Sequence, residues 1–95
     1  MSAAREQLLA EIAALVAEAP AEVVEELCAA LDEMPSNPSN LLIQVAVSYN
    51  VPPDFRARVV GLLTHWRSER YGPPASLAWA LRSAAYVESA HTSSQ

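Results

Sequence analysis

The chain has 95 residues, 52% of them hydrophobic and 18% charged, with a formal net charge of −5. That length holds one domain with no room for a second core, and the hydrophobic fraction excludes wholesale disorder. There is no lysine, and Gly61 and Gly72 are the only glycines, so lysine chemistry and glycine-rich phosphate loops are excluded.

Charge is uneven along the chain. Residues 1–50 carry eight acids and one base (−7), and residues 51–95 carry three acids and five bases (+2). The acidic balance opposes autonomous binding to a phosphate backbone. A single cysteine, Cys28, cannot form an internal disulfide. The N-terminal run carries acids within its apolar residues, unlike a signal peptide. No stretch approaches the roughly 20 apolar residues of a membrane span. The chain therefore reads as cytoplasmic, with no membrane partner.

Proline is tolerated in the first turn of a helix and breaks its interior. Pro20, Pro35, Pro38, Pro52, Pro53, Pro73 and Pro74 thus divide the chain into five stretches of helical length. The first is predicted from Ala3 to Ala17, with Ser2 as N-cap and Leu8, Leu9, Ile12, Leu15 and Val16 as its apolar stripe. The second, from Pro20 to about Met34, repeats the pattern with Val23, Val24, Leu27, Cys28 and Leu31. Its first turns hold Glu22, Glu25 and Glu26, where the helix dipole favours negative charge. A loop of turn residues follows from Pro35 to Asn40.

The third stretch, Leu41 to Tyr49, is rich in β-branched residues, but no other segment alternates with period two to pair with it. It is predicted as a helix with Leu41, Leu42, Val45, Ala46 and Tyr49 on its inner face. The fourth follows Pro52-Pro53 to about Arg70, with Phe55, Val59, Leu62, Leu63 and Trp66 inward and Tyr71-Gly72 as its C-cap. The fifth runs from about Ala75 or Ser76 to Ser89 with Leu77, Ala80, Leu81, Ala84 and Val87 inward, before a polar tail over 91–95. The expected fold is all-α: a compact bundle of about five short helices with proline-marked loops, one domain over 1–90.

Chemistry is sparse. Cys28 falls on the apolar face of an acidic helix and reads as a small buried hydrophobe. His65 and His91 stand 26 positions apart with no ligand partner one turn away, so no metal site is expected. The acids mostly read as the solvated faces of the first two helices, and no nucleophile–base pair is spaced for catalysis. No cofactor is expected, and the chain is read as a non-enzyme. Arg56, Arg67 and Arg70 can share a face of the fourth helix beside Trp66 and Tyr71. They are the candidate nucleic-acid contacts if the chain is a small helper subunit of a ribonucleoprotein; otherwise they form a solvated face or a protein interface.

The fifth helix carries the most informative pattern. Trp79, Arg82 and Tyr86 lie on a face distinct from the predicted core stripe, so the helix is apolar on two sides. Either it is central and wrapped by the first two helices, or the face docks a partner, for which Trp, Tyr and Arg are the enriched residue types. On the second reading Trp79, Arg82, Tyr86 and Trp66 form a protein interface, toward another domain or subunit or toward a second copy.

The order LLAEIAALVAEAPAEVVEELCAALDEMPS, RARVVGLLTHWRSE, PASLAWALRSAAYVESA resembles the N-terminal helical region of bacterial phospholipase D-like proteins, those of the DISARM anti-phage defence system in particular. The resemblance covers nearly the whole chain and includes the element of Leu62, Leu63 and Trp66. It implies an assembly role within an antiviral defence protein. The family's catalytic His-x-Lys-x4-Asp motif is absent here for want of a lysine, so its activity does not carry over.

Overall fold

Residues 3–93 are described by a computed structural model, with side chains described through Val87 except that of Ala4. The predicted cap Ser2 and residues 94 and 95 lie outside the described residues. Five α-helices follow in order: α1 (Ala3–Glu18), α2 (Ala21–Glu33), α3 (Asn40–Asn50), α4 (Pro53–Ser68) and α5 (Pro74–Ser93). No strand occurs among the described residues. α5 continues through positions 91–93, past the predicted start of the polar tail.

Local chemistry sets the helix ends. The Pro20 carbonyl opens α2 by accepting the N–H groups of Val23 and Val24 at 3.0 and 3.1 Å. Ser39 caps α3, its Oγ accepting the Leu42 N–H at 3.1 Å. Pro53 occupies the first turn of α4, where its missing N–H costs nothing. α4 closes in a Schellman motif, in which the Arg70 N–H reaches the Arg67 carbonyl and the Tyr71 N–H reaches the Trp66 carbonyl. The accompanying apolar contact is also present, as the Trp66 and Tyr71 rings meet edge to face at 5.2 Å. Arg70, not glycine, takes the left-handed position there at φ 59°. The predicted cap at Tyr71-Gly72 is therefore displaced, and Gly72 serves the next turn at φ 137°.

α5 packs on α2 and α1 and touches α4, while α3 bridges α2 and α4. The core gathers Leu8, Ile12 and Leu15 of α1, Leu27, Cys28 and Leu31 of α2, Leu62, Leu63 and Trp66 of α4, and Leu77, Ala78 and Leu81 of α5. No charged or polar residue is buried among the described residues. The radius of gyration, 12.8 Å, is that of a compact chain of this length, for which about 12–13 Å is expected. No helix of the described residues is long and apolar enough to cross a membrane.

Three predicted faces are corrected. α3 is turned the other way: Ile43 and Val47 are buried with Val51 just beyond, while Leu41 (74% exposed) and Tyr49 (86% exposed) face solvent with Val45. In α5, Ala78 joins the core and Val87 stands outside it. In α1, Leu9 remains exposed beside the buried Leu8.

Candidate docking surface

The arginines expected to form a basic stripe are dispersed. Arg56 clamps the end of α3: its Nε donates to the Val51 carbonyl at 2.8 Å and its guanidinium also donates to the Ser48 carbonyl at 3.0 Å. A cation on the carbonyl end of a helix also complements its dipole. Asn50 Nδ2 adds a bond to the Ala46 carbonyl at 2.8 Å. Arg67 donates to Asn37 Oδ1 at 2.7 Å and so ties the α2–α3 loop to α4. Arg58 grips both Glu18 carboxylate oxygens at 2.9 and 3.3 Å, joining α1 to α4. Arg70 lies beyond the end of α4 rather than on it, and its side chain has no partner among the described residues. Arg56 and Arg67 are thus each engaged within the fold, and Arg70 stands off the helix.

Of the predicted interface residues, α5 presents Trp79 and Tyr86 to solvent, 71% and 75% exposed, with Val87 alongside. The two residues are seven positions apart, about 10 Å along the helix axis. Arg82 stands between them and bonds Asp32 of α2 at 2.7 Å. The carboxylate beside it raises the guanidinium's pKa above its ordinary value. Trp66 belongs elsewhere: it is drawn into the core, where its Nε1 donates to Ser76 Oγ at 2.9 Å. The Ser76 hydroxyl in turn donates to the Pro73 carbonyl at 2.6 Å.

Trp66 still contributes to the surface, because it helps line an open groove of about 530 Å3 between α1, the α4–α5 connection and α5. Leu8, Leu9, Tyr71, Trp79 and Ala80 supply its apolar lining, and Arg5 and Arg70 its cations. Sites of roughly 300–1,000 Å3 with apolar walls and a few placed polar groups are the usual form of a binding pocket. Arg5 and Leu9 were missed from sequence because the groove joins the start of α1 to residues at the end of α4, the α4–α5 connection and the start of α5. The signal available was Leu9 itself, an apolar residue at the edge of the α1 stripe. The outward column Leu41, Val45 and Tyr49 on α3 was also missed, having been assigned to the core.

Groups with reactive potential are placed as follows. Cys28 is buried between α2 and α5, its Sγ 3.6 Å from the Ala78 carbonyl. Burial pushes the thiol above its ordinary pKa, partly offset by Arg82. A thiol so placed is held from the thiolate form that attacks electrophiles or binds metal. His65 lies 3.8 Å from the Glu69 carboxylate, one turn along the surface. The side chain of His91 lies outside the described residues. Among the described residues no three His, Cys, Asp or Glu side chains converge as a metal site.

No protein-family model, curated protein or solved structure matches this chain.

Proposed function

We propose that this chain is a non-catalytic helical interaction domain that docks another protein through the outer face of α5. One observation carries the reading: Trp79 and Tyr86, two large aromatic side chains two turns apart on one helix, stand in solvent beside an apolar groove. Aromatic side chains with a polar handle are the residues that anchor interfaces. Burying them gains roughly 25 cal/mol per Å2, less the cost of ordering both partners. The resemblance to the N-terminal region of phospholipase D-like anti-phage defence proteins gives the setting: a bacterial cytoplasmic assembly in which the helical domain holds the catalytic part or a neighbouring subunit.

The test is the double substitution Trp79→Ala with Tyr86→Ala. It is expected to abolish self-association seen by light scattering, or co-purification with a phospholipase D-like partner, while leaving the helical circular dichroism intact. Association unchanged in the double variant overturns the reading. A nucleic-acid contact through this helix is disfavoured, because Arg56 and Arg67 are engaged within the fold.

A further inference from the structure

The groove next to the α5 face has a chemical character that the aromatic face lacks. Its walls are apolar, yet two guanidinium groups, Arg5 and Arg70, line it in a chain whose formal net charge is −5. Arg70 reaches the groove from a backbone position, φ 59°, that favours glycine. The Schellman motif would be better served by glycine, so the fold gives no reason for a side chain there. The side chain present is a cation with no partner among the described residues, at the edge of an aromatic-lined groove.

We infer that the groove selects its partner by charge: it takes an acidic peptide segment of another protein, with an apolar anchor seated against Trp79 and a carboxylate on the Arg70 guanidinium. This deepens the docking function proposed above and rests on it. The occupant follows from complementarity. A guanidinium at the rim of an apolar cleft, here that of Arg70, favours a carboxylate-bearing ligand and disfavours a cationic one. A second copy fits less well, because two-fold pairing through the groove would bring Arg70 toward Arg70. A small molecule would leave the Tyr86 and Val87 ridge beyond the groove uncovered, whereas a peptide can run along both.

The probes are two rhodamine-labelled 14-residue peptides, apolar at helical spacing, one with glutamates at the remaining positions and one with glutamines. Fluorescence anisotropy at about 0.15 M salt, where repulsion from the chain's net charge of −5 is screened beyond about 8 Å, is expected to show the unmodified protein binding the glutamate peptide about fivefold more tightly, the effect of one solvent-edged ion pair. Arg70→Gly should erase that preference, leave binding of the glutamine peptide unchanged and raise the melting temperature, so the loss cannot be blamed on unfolding. Arg70→Lys should retain part of the preference. Equal affinity of the unmodified protein for both peptides, binding to neither, or a preference that survives Arg70→Gly overturns the inference. So does a dimer in light scattering that Arg70→Gly strengthens. If Trp79→Ala with Tyr86→Ala binds both peptides as the unmodified protein does, the docking face itself is misassigned.

Discussion

Arg70 and Gly72 sit two residues apart in the α4–α5 connection, and their backbones call for opposite substitutions. Arg70 holds φ 59° with a side chain that must tolerate it, and the left-handed region costs an L-residue roughly 1–2 kcal/mol. Glycine would avoid that cost and give back part of the gain as unfolded-state entropy. Arg70→Gly should therefore stabilise by about 0.5–1 kcal/mol. Gly72 holds φ 137°, and a Cβ there would lie 2.6 Å from Ser76 Oγ. That hydroxyl cannot swing away freely, since it accepts from Trp66 Nε1 and donates to Pro73. Gly72→Ala should cost about 2–3 kcal/mol. Urea midpoints should thus rank Arg70→Gly above the unmodified protein and Gly72→Ala below it; a Gly72→Ala midpoint equal to the unmodified one would mean the connection relaxes. The sequence placed the helix cap at the glycine because glycine is the usual left-handed residue. It could not show that the turn leading into Pro73-Pro74 needs that glycine more.

Among the elements, α3 shows where patterning runs out. The inward faces of α1, α2 and α4 were largely legible because charged residues mark the outside of each, as Glu22, Glu25 and Glu26 do in α2. α3 has no charged residue, and it carries two apolar columns at four-residue spacing: Leu41, Val45, Tyr49 and Ile43, Val47, Val51. Helical periodicity alone cannot choose between them. The choice is tertiary. Pro38 and Val51, at the two ends, are both buried, and Arg56 of α4 holds the Ser48 and Val51 carbonyls. Ile43→Ala should accordingly cost about 2–4 kcal/mol, whereas Leu41→Gln on the outer column should fall within about 0.5 kcal/mol of the unmodified protein. Arg56→Ala, which leaves two α3-end carbonyls without their charged donor, should cost about 1–2 kcal/mol. Denaturant titration measures all three, and equal costs for Ile43→Ala and Leu41→Gln would reject this orientation of α3. The same limit applied to the candidate site. The aromatic spacing on α5 was visible in sequence. The groove was not, because it unites α1 with the α4–α5 connection.

Across the whole molecule, the acidic N-terminal half is fastened to the basic C-terminal half by Glu18–Arg58 and Asp32–Arg82, at 2.9 and 2.7 Å. Both pairs are solvent-exposed and so add little to stability, and the halves are held mainly by the apolar packing of α2 on α5. Cys28 reports on that packing. Its folded-state pKa lies above the ordinary value of 9.0, chiefly because burial disfavours the thiolate. Once the pH rises past that ordinary value the unfolded chain ionises first, so the thiol's contribution to stability is complete below it and is lost as pH climbs toward the folded pKa. Cys28→Ala removes the ionisable group along with a buried sulfur. At pH 7 the variant should be less stable by about 1 kcal/mol, from lost burial and a small cavity. Above the ordinary thiol pKa the unmodified protein should lose stability that the variant keeps, so the gap between their urea midpoints should narrow or reverse. A gap that stays constant from neutral to alkaline pH would show that the thiol ionises as readily in the folded molecule as in the open chain, and that α2 and α5 do not exclude water where they meet.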